Sequence, residues 1–201
     1  MIILGDVGFN VFGDARDCYN KYHINSLGFT VFCVNGNHKM RPYDIKTYKM
    51  KEYNGGLVWY ENEFPNLLFA KDGEVYDLGG MKCMVIGGAY SIDKPIRIAM
   101  GYPWFGNEQP SSEIKCFVEQ RLSQRDNKID VILSHTCPLK YESSEVFLSG
   151  IDQSTVDKST EKWFDRIEET IGYKKWFCGH YHTSKKIDKI QFMFEEFLEL
   201  S

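Results

Sequence analysis

Four short apolar runs, each ending on a carboxylate, an amide or an imidazole, constrain this chain more than any other feature. Ile2-Ile3-Leu4-Gly5 ends on Asp6, and Val31-Phe32-Cys33-Val34-Asn35-Gly36 ends on Asn37 and His38. Ile129 to Ser134 delivers His135; Lys174 to Cys178 and Gly179 deliver His180, with His182 two residues on. Short continuous apolar runs closed by turn residues suit strands buried on both faces. Open α/β sheets bind ligands beyond the carboxyl ends of their strands. Oxygen and nitrogen donors gathered there suit a divalent cation.

The remaining pattern predicts a helix over 14–27 that ends at Gly28, and an irregular stretch after Pro42. Short strands follow at Val58 to Tyr60 and Leu67 to Phe69. A hairpin of Glu74 to Leu78 and Met81 to Ile86 turns at Gly79-Gly80. Residues 92–110, with three prolines, read as irregular. A helix opens at Ser111 or Ser112 and runs to about Arg125, and a second long one covers Thr155 to Ile171. The chain closes on a hairpin turning at Asp188-Lys189. Strands alternating with helices, then hairpins, predict an α/β fold of mixed sheets with helices outside.

At 201 residues, one domain spanning 1–201 is expected. Hydrophobic residues make up 43%, enough for a packed core and against disorder. The net charge of −4 and the lack of a basic stripe argue against a polyanion as the main partner. No apolar run approaches the roughly 20 residues of a membrane span, and no secretory leader is visible. None of the six cysteines forms a C-x-x-C pair. Free thiols in a reducing compartment, hence a cytoplasmic protein, are the expectation.

The ordered series Gly5-Asp6, Gly36-Asn37-His38, Ser134-His135 and Gly179-His180-Tyr181-His182 resembles the calcineurin-like metallophosphoesterases, over nearly the whole chain. The resemblance implies two packed β-sheets flanked by helices in four layers. It implies two metal ions at the strand ends and hydrolysis of phosphomonoesters or phosphodiesters. Asp6 matches the aspartate that bridges the metals. Asn37, His135 and His180 match the other ligands of the second metal, and His182 a ligand of the first. His38 matches the catalytic histidine that contacts phosphate and assists the leaving group. Mixed nitrogen and oxygen ligation suits Mn, Fe, Zn or Ni.

Three departures shape the expectations. The family's earlier Asp-x-His motif is absent, so the chain is expected to be N-terminally truncated and to lack its first strand, which would lie beside residues 2–5. The first metal site then keeps only Asp6 and His182. One firmly held ion, one weak one and poor hydrolysis follow. Phe9 stands where many members have the aspartate that orients the catalytic histidine, with Asn10 or Asp14 as substitutes. Lys39 replaces an acidic residue and is a candidate to assist an anionic substrate. Tyr90, Lys94 and Arg97 are expected on a lip over the metals, Tyr90 stacking and the basic pair meeting phosphate. The segment from Leu139 to Thr155 is a candidate for a further loop over the site. The partner is a phosphate ester, with nucleic acid only as a substrate and no membrane. A non-catalytic binding or scaffold protein and a metal-dependent nuclease are the alternatives.

Overall fold

Alternate side chains along the central strands go to opposite faces, and that period of two builds the fold. The structure, a computed structural model, describes residues 1–200. Its strands are β1 (Ile2–Ile3), β2 (Val31–Cys33), β3 (Lys49–Tyr53), β4 (Gly56–Glu61), β5 (Phe64–Ala70), β6 (Val75–Leu78), β7 (Met81–Ile86), β8 (Val131–Ser134), β9 (Lys175–Cys178), β10 (Lys185–Ile187) and β11 (Ile190–Phe192). The helices are α1 (Ala15–Asn25), α2 (Lys94–Met100), α3 (Ser112–Ser123) and α4 (Ser159–Thr170).

The strands form two mixed sheets, a five-stranded one in the order β1-β2-β5-β4-β3 and a six-stranded one in the order β10-β11-β9-β8-β7-β6. The expected α/β class with two mixed sheets is what the chain adopts. β1, β2 and β5 run parallel, as do β7, β8, β9 and β11. Phe32, Val34 and Leu68 of the first sheet share a core with Cys83, Val85, Val131, Leu133 and Phe177 of the second. Phe32 meets Tyr76 edge-on across this seam, ring centroids 4.9 Å apart. Each such buried side chain contributes roughly 1.5–3 kcal/mol. The intervening residues face outward. Val31 and Cys33 pack with Phe9 and Phe69, and the partly buried Ile24 of α1 joins them. Met84, Ile132 and Trp176 pack under Val118 of α3 and Trp163 and Phe164 of α4.

Three elements differ from expectation. A short helix, α2, occupies part of the stretch read as irregular. Pro95 in its first turn already has helical φ, and Gly101 at φ 70° closes it in the left-handed conformation. β3 escaped notice because it lies at the edge of its sheet with charged, largely exposed residues and no apolar run. The helix expected over 155–171 is shorter. Gln153–Thr155 make a separate 3-10 turn, and the Asp157 carboxylate accepts the Ser159 N–H at 3.0 Å as α4 begins. β1 is the edge strand of its sheet, beside an apolar groove that includes Ile2, Leu4, Phe177 and Leu198. Among the described residues no helix is long and apolar enough to cross a membrane.

Candidate metal centre

Parallel strands from both sheets end at one place. Asp6 follows β1, Asn37 and His38 follow β2, His135 follows β8 and His180 follows β9. The two sheets are stitched there by Gly88 N, which donates to Asn35 O at 2.8 Å, and within the second sheet Gly179 N donates to His135 O at 3.0 Å. Close approach explains two glycines. A Cβ at Gly5 would overlap the His135 ring, and one at Gly36 would overlap the Asp6 carboxylate and backbone nitrogen.

His135 Nδ1 lies 2.7 Å from the Leu4 carbonyl oxygen, which accepts only an N–H. In the neutral ring Nε2 is then a bare lone pair. It stands 2.7 Å from Asn37 Oδ1 and 3.6 Å from Asp6 Oδ2. Asn37 Nδ2 donates to Ser91 Oγ at 2.9 Å, which turns the amide oxygen toward the histidine. Two acceptors thus face each other. A proton on Nε2, a reversal of the Asn37 amide, or a shared cation each relieves that contact. Two donors each about 2.1 Å from one ion are about 3.0–3.4 Å apart. The observed spacings of 2.7 and 3.6 Å lie on either side of that range, so a common cation needs shifts of a few tenths of an ångström. His180 stands beside them, its ring centroid 5.0 Å from that of His135. Among the described residues no three His, Cys, Asp or Glu side chains form a ready metal site, so three donors are reached only by counting the Asn37 amide oxygen.

Ligation needs an ionised carboxylate and neutral imidazoles. Asp6 meets the first condition and His180 the second, while a protonated His135 would give up its Nε2 proton when a cation arrives. Burial works to raise the Asp6 carboxyl, but the charge and hydrogen bond of His135 and the contacts with His38 outweigh it and hold Asp6 well below the usual carboxylate range. Burial, aided by the nearby His135, lowers His180 to about 3. His180 and His182 both adopt left-handed backbone, φ 67° and 48°, which non-glycine residues keep only when their surroundings impose it.

His38 donates its backbone N–H to Asp6 Oδ1 at 3.1 Å, and its half-buried ring faces the cleft. Burial lowers its pKa; Nδ1 has no partner, and Nε2 lies 4.0 Å from Asp93 Oδ1. Neither expected substitute supports it, because Asn10 bonds to Tyr48 and Asp14 caps α1. Asp93 is the nearby carboxylate, on a loop where nothing in the sequence marks it. Phe9 is buried against Phe69.

The cleft encloses about 310 Å³. Tyr90 lines it, but Lys94 and Arg97 do not. Lys94 Nζ sits over the Trp104 ring at 4.0 Å, and Arg97 Nε donates to Asp93 at 2.7 Å. Lys39 is no substrate contact either: it is 1% exposed, with Nζ over the Phe69 ring at 3.8 Å and no hydrogen-bond partner. Burial lowers it to about 7. Its position two residues past Asn37 turns it inward while His38 faces out. His182 is exposed at the cleft rim, stacked on Phe194 with centroids 4.9 Å apart. The segment from Leu139 to Thr155 does wall the cleft, through Glu142, Val146, Phe147 and Leu148.

Sequence reasoning missed Lys158 and Glu161, which line the far end beside Glu142. Glu161 carried a usable signal, an acidic residue in α4 one turn before the buried Phe164. No known protein family, curated protein or solved structure matches this chain.

Proposed function

We propose that this chain is a metal-dependent phosphoesterase of the calcineurin-like metallophosphoesterase kind, with the four-layer arrangement of that family. The observation that carries this reading is the convergence of Asp6 Oδ2, Asn37 Oδ1 and His135 Nε2, within 3.6 Å of the last of these, at strand ends from both sheets. Asp6, Asn37, His135 and His180 would hold the ion, taken from Mn, Fe, Zn or Ni. The chemistry a divalent cation supplies here is Lewis acidity, which draws charge from a phosphoryl oxygen and acidifies water. Leu4 O fixes the His135 tautomer, and Asp6 is anchored by the His38 N–H. His38, neutral at pH 7 and open to the cleft, binds a phosphate oxygen through its ring N–H or exchanges a proton with the ester's leaving oxygen. A second ion would find Asp6 and a His182 that is stacked on Phe194, so it is held weakly if at all.

The test is metal analysis of chelator-stripped, reloaded protein together with turnover of bis(p-nitrophenyl) phosphate. One tightly held ion per chain and slow hydrolysis that ends in chelator are expected. A chain that takes up no ion overturns the reading. An ion held without turnover on any ester points to the non-catalytic binding alternative. The cleft is lined by Asp6, Asp93, Glu142, Asp157 and Glu161 against Lys158 alone, which speaks against a nuclease. All six cysteines are free thiols, in keeping with a cytoplasmic setting.

A further inference from the structure

The cleft has a second polar end, away from the strand ends, built by α4 and the loop after β8. Glu161 is 4% exposed there; its Oε1 accepts from Thr136 Oγ1 at 2.8 Å, and its Oε2 has no partner. Its neighbours satisfy one another. Lys158 Nζ donates to Glu142 at 2.7 Å, and the Tyr181 hydroxyl donates to the same carboxylate at 3.3 Å. Of the carboxylates at this end of the cleft wall, Glu161 keeps an oxygen without a partner. Orphaned buried acceptors are rare in folded proteins and call for a partner that the protein alone does not provide. Around it the wall is apolar, with Val146, Phe147 and Val156. A volume of about 310 Å³ suits a small organic molecule. Arg97 offsets Asp93 and Lys158 offsets Glu142, and the carboxyl groups of Asp6, Asp157 and Glu161 that remain favour a group that is cationic or donates hydrogen bonds.

We infer that the α4 end of the cleft is the subsite for the organic part of the ester, taking a compact apolar body that carries an ammonium or other N–H donor, with Glu161 Oε2 as the acceptor. This rests on the phosphoesterase reading, and it assigns that enzyme amine-bearing phosphate esters rather than polyanions. Glu161 acts as a specificity residue: it meets the part of the ester that does not react, and His38 meets the phosphate. The Lys158–Glu142 pair closes the wall beside it, so the orphan oxygen is the one acceptor there that a ligand need not compete for.

The experiment compares tyramine O-phosphate with 4-ethylphenyl phosphate, which has the same aromatic body without the amine, by calorimetry and by initial rates on metal-loaded protein. Tyramine itself, which has no phosphate, is titrated into metal-free protein. The amine ester is expected to bind about tenfold or more tightly than its isostere. Tyramine should bind the metal-free protein, and both preferences should vanish in Glu161→Gln and Glu161→Met. Circular dichroism verifies that the variants fold, and the shape-conserving Glu161→Gln serves if Glu161→Met does not. An amine preference without hydrolysis of either ester keeps the subsite and removes the phosphoesterase. Hydrolysis of both esters with equal affinity keeps the phosphoesterase and overturns the subsite, as does a preference that survives both substitutions.

Discussion

His135 Nε2 and Asn37 Oδ1 stand 2.7 Å apart; with a neutral His135 giving its hydrogen to Leu4 O and Asn37 giving its amide hydrogen to Ser91, they face each other as two acceptors. A shared cation turns that repulsion into two bonds. An ion at about 100 times its Kd should therefore stabilise the wild type by about 2.7 kcal/mol. For a chain of this size that is a rise in Tm of roughly 5–10 °C. Asn37→Leu should lose the rise. Thermal melts with and without Mn²⁺ decide, and an equal rise in the variant would place the ion elsewhere.

His38 lines the cleft, its buried Nδ1 has no partner, and it is not among the proposed ligands. His38→Ala should lower kcat by about 10²–10⁴-fold with unchanged metal content. Metal analysis beside steady-state kinetics separates the two effects. Loss of the ion with the activity would make His38 a ligand or a support for one.

Lys39 is buried with no hydrogen-bond acceptor, and burial lowers it to about 7. The fold therefore binds fewer protons than the unfolded chain between pH 7 and 10.5, and its stability rises with pH across that window. Lys39→Met removes the cost of the charged amine. It should stabilise by about 1–3 kcal/mol at pH 6, with the gain shrinking as pH rises toward 10. Urea denaturation at the two pH values measures it, and a destabilised variant at pH 6 would show that the contact with Phe69 outweighs the burial.

Glu161 behaves oppositely. Burial raises its carboxyl from 4.5 to about 7, so between those values the folded chain binds the extra proton and stability falls as pH rises. Glu161→Gln should flatten that fall and gain about 1–3 kcal/mol above pH 7. Unfolding free energies at pH 5 and pH 8 give the comparison. Parallel losses in wild type and variant would assign the slope to another group.

The strands that carry the site were legible because buried parallel strands read as unbroken apolar runs. Val131 to Ser134 and Lys175 to Cys178 lie within one or two residues of the runs that announced them. Their terminal residues were legible for the same reason, since a polar residue directly after such a run has to emerge at the sheet's end. Side-chain direction was not. Lys39, Lys94 and Arg97 are basic residues near the cleft, yet Phe69, Trp104 and Asp93 hold them away from its surface. Phe69 lies 30 residues from Lys39 and meets it only through the fold, whereas Asp93 meets Arg97 one turn away once α2 forms. Asp93 and Glu161 went unread as site residues because neither sits at a strand end, the only place the pattern directed attention.

The hydrogen bond from His135 to Leu4 links residues 131 positions apart and joins the ends of two different sheets. Each sheet can close much of its own pairing through nearer contacts, the hairpin of β6 and β7 among them. Closing so long a loop comes at an entropic cost that local pairing does not bear, and contacts of this span slow folding. The centre is therefore the seam where two half-built sheets finally register. During refolding, metal capture should trail the recovery of backbone structure, so function is the last property this chain acquires and the first that a slipped sheet would forfeit.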